Sequence, residues 1–384
     1  MCPTSSEPAG LYVHIPFCIK KCPYCDFYSI TDLSLKETFI SALIQEMHMN
    51  CNVSFKFDTL YMGGGTPSVF GTKQVGAIIE KAYRLFRILP DTEITIEINP
   101  GTVKLDKLKG YKSSGINRIN IGVQSFQDKN LSFLGRIHSS IDANLAIKWA
   151  RKAGFDNIGL DLIYGIPGQS EKTWLLDLKK AVEFRPEHLS CYMLTYEQGT
   201  PLGKKRQKGD LNPMNDSLVC NLFETTIDFL NTCGYTQYEI SNFAQSSSNK
   251  SRHNWKYWSF IPYMGFGPSA HSFLESERYW NCRSVKKYIK DLNMGKMPVE
   301  EREVLSKEQS MIEAICVGLR KTEGIDIDIF NKKFGISFNR IFGEIINNLK
   351  EKEYIQFTQN RCALSIKGML FLDSITSMFV SHLP

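Results

Sequence analysis

The stretch Leu11-Tyr12-Val13-His14-Ile15-Pro16-Phe17-Cys18-Ile19-Lys20-Lys21-Cys22-Pro23-Tyr24-Cys25 joins a short β-rich run to three cysteines. The spacing is C-x3-C-x2-C, directly after the first predicted strand. Three thiolates from one loop can hold three irons of a [4Fe–4S] cluster. The fourth iron then has no protein ligand and can take a small molecule. The same cysteines also suit zinc, with His14 completing a Cys3His set. Three buried thiols without a metal fit poorly, because they crowd into a single turn.

Outward from this loop, β-rich runs alternate with helix-like runs. The strands are expected over 11–16, 59–63, 93–99, 118–124, 157–164 and 188–195. The helices are expected over 35–49, 73–86, 105–113, 141–153 and 171–183. The first helix carries Leu35, Phe39, Ala42, Leu43 and Met47 as a stripe. Residues 93–99 read EITIEIN, a strand alternation. Strands spaced by helices imply parallel βαβ units. Six of them predict an α/β fold, a partial (β/α)6 barrel with its chemistry in the loops at the strand C-terminal ends.

The pattern changes after residue 197. Residues 198–215 are rich in turn formers and read as a long loop. A helix over 218–233 and a strand over 235–243 follow. Residues 245–258, QSSSNKSRHNWKYW, are polar and then aromatic, a ligand loop whose first part, QSSSNKS, looks mobile. Residues 300–384 alternate helices with a late strand pair near 354–366, like a winged helix. Three units are therefore expected: a barrel over 1–196, an extension with a ligand loop over 197–299, and a smaller α+β module over 300–384.

The chain has 384 residues, a net charge of +6 and 11 cysteines. So mild a charge does not call for nucleic acid, and the winged-helix-like module has no basic excess. No run approaches a membrane span, and the apolar C-terminus reads as an amphipathic docking helix. Residues 1–10 show no secretory leader. The expectation is a cytoplasmic protein whose cysteines stay reduced. Cys191, Cys220 and Cys316 read as small buried hydrophobes, and the other scattered cysteines as filler.

Further segments complete a pattern: Gly63-Gly64-Gly65-Thr66-Pro67, Glu97-Ile98-Asn99-Pro100, Ile121-Gly122-Val123-Gln124-Ser125-Phe126 and Asp161-Leu162-Ile163-Tyr164-Gly165-Ile166-Pro167-Gly168. Together with the cysteine loop, they make the whole chain resemble the radical SAM superfamily. The nearest subgroup is that of oxygen-independent coproporphyrinogen III oxidase and its haem-chaperone relatives. The resemblance implies a [4Fe–4S] cluster on Cys18, Cys22 and Cys25, with S-adenosylmethionine (SAM) on the open iron. It implies SAM contacts from Tyr12, Tyr24, Gly64, Gly65, Thr66, Glu97, Gln124, Arg136 and Asp161. In these roles the glycines face the SAM amino group, Gln124 and Asp161 the ribose, and Arg136 the carboxylate. The implied chemistry is one-electron cleavage of a SAM C–S bond.

Three features separate oxidase from chaperone. The oxidase has a cysteine where this chain has Phe27. It also has a longer N-terminal lid, and the short stretch before Cys18 predicts none here. Finally, His253-Asn254-Trp255-Lys256-Tyr257-Trp258 fits the H-N-x-x-Y-W motif associated with haem in the chaperone group. By this resemblance His253 is the iron ligand, Tyr257 and Trp258 stack on the porphyrin, and Arg252 and Lys256 pair with propionates. Lys204–Lys208 is a further basic run within reach of propionates in principle, though a solvated loop suits it better. His271 is a second, weaker candidate for the same pocket. The implied function is a haem chaperone that binds haem, the cluster and SAM and passes haem to an acceptor protein, which could sit at a membrane. An electron donor is needed if the cluster is redox-active. The alternative is oxidative decarboxylation of coproporphyrinogen III. Whether the chain turns over a substrate at all stays open.

Overall fold

The computed structural model describes residues 7–382; Cys2 lies outside the described residues. Six parallel strands lie side by side in chain order. They are β1 (Ala9–Ile15), β2 (Lys56–Gly64), β3 (Arg87–Ile98), β4 (Arg118–Gln124), β5 (Ile158–Tyr164) and β6 (His188–Met193). The crossovers are α1 (Lys36–Met49), α2 (Thr72–Leu85), α3 (Leu105–Ser113), α4 (Asp128–Phe133) with α5 (Ser140–Lys152), and α6 (Glu171–Glu183). Strand side chains alternate between faces. Leu11, Val13 and Ile15 are fully buried in the apolar core. Tyr12 and His14 point the other way, and Tyr12 stacks on Tyr61 of β2 inside the curved sheet.

The sheet continues past both ends of the six strands. The chain proceeds through α7 (Pro201–Gln207), α8 (Asp216–Thr232), β7 (Thr236–Gln237), β8 (Asn242–Ala244) and α9 (Arg252–Trp258). Then come β9 (Tyr263–Phe266), β10 (His271–Leu274), β11 (Glu277–Asn281), α10 (Val285–Asn293) and β12 (Val299–Val304). The order is β12-β11-β10-β9-β1-β2-β3-β4-β5-β6-β8-β7, with β9 parallel to β1. The C-terminal module runs α11 (Lys307–Gly318), β13 (Ile325–Asp326), α12 (Ile327–Phe334), α13 (Phe338–Glu351), β14 (Ile355–Phe357) and β15 (Arg361–Leu364). Its sheet order β13-β15-β14 is that of a winged helix. A last helix, Leu372–Val380, buries Ile375 and Phe379. Among the described residues, no helix is long and apolar enough to cross a membrane.

Three local expectations fail. Residues 198–215 hold α7: Thr200 accepts from the Gly203 N–H at 3.0 Å and Pro201 takes the first turn. Both are helix-start signals that the turn-rich composition masked. Residues 235–243 form two short strands, not one. Tyr238 and Asn242 close a turn between them, in which Glu239 accepts from the Ser241 N–H. Residues 252–258 form α9, capped by Ser251, where a loop is expected; the helix buries His253 and Lys256.

One buried carboxyl ties α1 to the sheet extension. Glu46 accepts from the Gly267 N–H at 2.8 Å, from Asn281 at 2.5 Å and from the Tyr288 hydroxyl at 2.5 Å. Burial pushes this carboxyl up to about 7, against the pull of those hydrogen bonds. Glu46→Ala leaves three buried donors unpaired and is expected to cost about 3 kcal/mol in chemical denaturation. The pH dependence has a definite sign. The folded chain holds a proton here that the unfolded chain has already lost between pH 4.5 and about 7. Stability contributed by Glu46 therefore falls as pH rises through that window. The difference in unfolding free energy between wild type and Glu46→Gln should shift against the wild type over the same interval.

Candidate cofactor site

The cysteine loop leaves β1 at its C-terminal end. The Cys18 N–H donates to the Ile30 carbonyl at 2.9 Å, and the Cys25 N–H closes a turn onto the Cys22 carbonyl at 3.2 Å. Cys18 is buried, whereas Cys22 and Cys25 are half-buried. The Pro23 carbonyl accepts from the Leu202 N–H at 2.9 Å, so α7 braces the loop from outside. Arg136 braces it from inside. Its Nη1 lies 3.7 Å from Cys22 Sγ and 3.4 Å from the Tyr24 hydroxyl, while Nη2 donates to the Gly122 carbonyl at 2.8 Å.

The second loop, after β2, presses against the first. The Gly65 N–H donates to the Ile15 carbonyl at 2.8 Å. A Cβ at Gly65 would stand 2.8 Å from the Phe17 carbonyl oxygen and 3.1 Å from Cys18 Sγ. Gly64 adopts φ +114°, which an L side chain resists. Thr66 Oγ1 lies 3.4 Å from Cys18 Sγ.

The remaining predicted residues converge inside the barrel at the same end. Tyr61 donates to Glu97 Oε1 at 2.8 Å, and Asn120 donates to Asp161 Oδ2 at 2.6 Å. Burial pushes the Glu97 carboxyl up to about 7 and raises Asp161 as well. Gln124 ends β4 with φ +68°, a strained backbone for a non-glycine residue. A Cβ at Gly122 would meet both the Gln124 amide and the Arg136 guanidinium, so these two side chains are neighbours. Asp161 Oδ1, Asn120 Oδ1, Gln124 Oε1, Arg136 Nε and Arg118 Nε are buried without hydrogen-bond partners among the described residues. Each such atom costs about 1–3 kcal/mol. Their concentration inside the barrel fits a polar ligand that completes them. Acceptors for hydroxyls and an arginine for a carboxylate match the polar groups of SAM. Tyr24 packs against Leu134, Ile163, Ile166 and Leu194, giving an apolar wall beside the cysteines. Tyr12 is less available, since its hydroxyl pairs with His14 Nδ1 at 3.1 Å.

Arg118, Asn120 and Tyr61 belong to this buried polar group but escaped the sequence reading. A signal existed. Arg118 and Asn120 alternate with isoleucines in R-I-N-I, on a strand otherwise apolar enough to be buried on both faces. His14, the fourth ligand of the zinc alternative, is committed elsewhere: Nδ1 pairs with Tyr12, and Nε2 with the Tyr28 carbonyl at 2.8 Å. Among the described residues, no three His, Cys, Asp or Glu side chains form a set that could hold a single ion. Of the scattered cysteines, Cys191 is buried as expected, but Cys220 and Cys316 are only half-buried.

The residues expected to bind haem lie at the opposite end of the barrel. His253 Nδ1 pairs with Thr59 Oγ1 at 2.8 Å and Nε2 with the Tyr257 hydroxyl at 2.8 Å. Its ring stacks on Tyr61 and lies against Gly10, near the start of β1. The ring is 1% exposed, and burial lowers its pKa to about 3. The two N–H groups at the start of α9 donate to Glu93. Arg252 and Lys256 both pair with Asp58, at 2.8 and 2.6 Å. Trp258 lies under the Arg320 guanidinium. The motif thus plugs the barrel floor, with both imidazole nitrogens and both nearby cations engaged. The basic run at Lys204–Lys208 lies mostly on α7, beside the cysteine loop. His271 does not share a pocket with His253. It starts β10, is exposed, and stacks on Trp280 with centroids 5.5 Å apart.

Residues 12–181 match the model of the radical SAM superfamily, and residues 305–371 that of the HemN C-terminal domain. The haem chaperone HemW of Bacillus subtilis is 34% identical over 97% of this chain and 99% of its own length. HemW of Lactococcus lactis is 32% identical over 97% and 98%. HemW of Escherichia coli is 31% identical over 98% and 99%. Coproporphyrinogen III oxidase (HemN) from E. coli superposes with a TM-score of 0.85, covering 98% of this chain and 91% of its own, at 23% identity. At that identity the likeness establishes the fold.

The contact at Gly65 gives a direct test. Gly65→Ala forces either the Phe17 carbonyl or the Cys18 thiol to move. The variant is expected to lose about 1–3 kcal/mol of stability and most of its iron and sulfide after anaerobic reconstitution. Gly343→Ala, at a helical glycine with open space around it, should keep its iron.

Proposed function

This chain belongs to the HemW family of haem chaperones within the radical SAM superfamily, and from that membership we propose that it binds haem and hands it to an acceptor protein. The carrying observation is similarity above 30% along nearly the whole of both chains. Superfamily membership implies a [4Fe–4S] cluster and SAM. In our reading Cys18, Cys22 and Cys25 hold three irons. Gly64, Gly65 and Thr66 let backbone groups approach the SAM amino group. Arg136 takes the carboxylate, Gln124 and Asp161 the ribose hydroxyls, and Glu97 and Tyr12 lie behind them. When bound, the pair supplies one-electron chemistry. The barrel itself orients and desolvates.

The oxidase reading is kept as the alternative, since the oxidase shares this fold. Phe27 favours the chaperone. It is 69% exposed beside the cluster loop, where the oxidase subgroup has a cysteine. An apolar ring there offers surface to a porphyrin but no thiol chemistry.

Anaerobically reconstituted protein is expected to bind haem saturably and to yield no protoporphyrinogen from coproporphyrinogen III with SAM and a reductant. Product formation would replace the chaperone reading with the oxidase. Separately, Asp161→Asn should weaken SAM binding about 10-fold in equilibrium dialysis without changing iron content.

A further inference from the structure

The haem reading leaves a question of place, because His253 and its cations are used up in the barrel floor. The cysteine-loop side offers another imidazole. β9 runs parallel to β1 and its far end meets the loop 267–270, where Gly267 packs on the His14 carbonyl. β10 begins there with His271, and β11 returns with Trp280 directly opposite. The two rings stack 25° from parallel.

Below these rings opens a pocket of about 390 Å³, lined by His271, Trp280, Arg283, Ser284, Lys287 and Glu300 among others. Arg283 is exposed and spends one N–H on the Asp26 carbonyl at 3.1 Å, directly after Cys25. Its remaining donors have no carboxylate partner among the described residues. Lys287 is shared between Asp291 and Glu300, at 3.0 and 3.5 Å. Neither ring nitrogen of His271 has a hydrogen-bond partner among the described residues. Partial burial and the charges of Arg278 and Arg283 lower the pKa of His271, which favours the neutral imidazole. Phe27, next to Asp26, adds an exposed apolar ring.

We propose that this pocket is the haem site, with His271 as the axial ligand to the iron, Trp280 bracing the imidazole, and Arg283 receiving a propionate. The proposal rests on the haem-chaperone reading and specifies where that ligand sits. A neutral imidazole with a free nitrogen is the commonest protein ligand to haem iron. A guanidinium with unspent donors suits a carboxylate. A pocket open to solvent suits a cargo that must leave again.

The test uses the full chain, reconstituted anaerobically, with haemin and iron-free protoporphyrin IX as separate probes. His271→Ala is expected to weaken haemin binding at least 10-fold and to shift the Soret band away from its imidazole-ligated position. Protoporphyrin IX binding should change less than 3-fold, because that probe has no iron to ligate. Arg283→Gln should weaken both probes. Iron content and thermal unfolding of the variants serve as folding controls, and His271→Gln gives a second, polar replacement. If the wild type binds haemin but both His271 variants keep its affinity and Soret position, the site is overturned while the chaperone reading stands. If the wild type binds no haemin, the chaperone reading fails and this site with it.

Discussion

A single backbone contact organises the cofactor end of this molecule. The Gly65 N–H reaches the Ile15 carbonyl, and the absent Gly65 side chain leaves room for the Phe17 carbonyl and the Cys18 thiol. Two loops from neighbouring strands are thereby held closer than side chains would permit. Everything that meets the cysteines is placed relative to that contact. Thr66 touches Cys18, Arg136 comes in from the lumen, and α7 closes on Pro23 from outside. The backbone that carries the three thiols is thus pinned on several sides.

The barrel interior shows the cost of such a site. Apolar lumen residues would have been more stable than Arg118, Asn120, Glu97 and Asp161, several of which hold unpartnered atoms. Gln124 adds a strained backbone at the end of β4. Strain and unpaired polarity together inside one barrel mark a region shaped for something other than folding. On the opposite face of the same strands, Leu11, Leu60, Ile96 and Ile121 are buried in ordinary apolar packing.

The parallel strands were legible because burial on both faces leaves β-branched and apolar runs, and β4 and α6 match their expected bounds residue for residue. The cysteine loop was legible because its spacing is local. What failed was non-local. α7 is written in turn-forming residues, and its role appears only when Leu202 meets Pro23 across the chain. The partners of His253 were equally out of sight in the sequence, since Thr59, which pairs with its Nδ1, lies 194 residues away. Sequence periodicity tells which side of a strand a residue faces. It does not tell which end of a barrel a later helix will plug.

That plug separates two regions of the molecule. With α9 wedged against Gly10, Thr59 and Glu93, the chain itself closes the floor of the barrel. The pocket under His271 and Trp280 lies on the sheet extension beyond β9, away from the barrel interior. An occupant of that pocket and an occupant of the barrel interior therefore need not compete for one entrance.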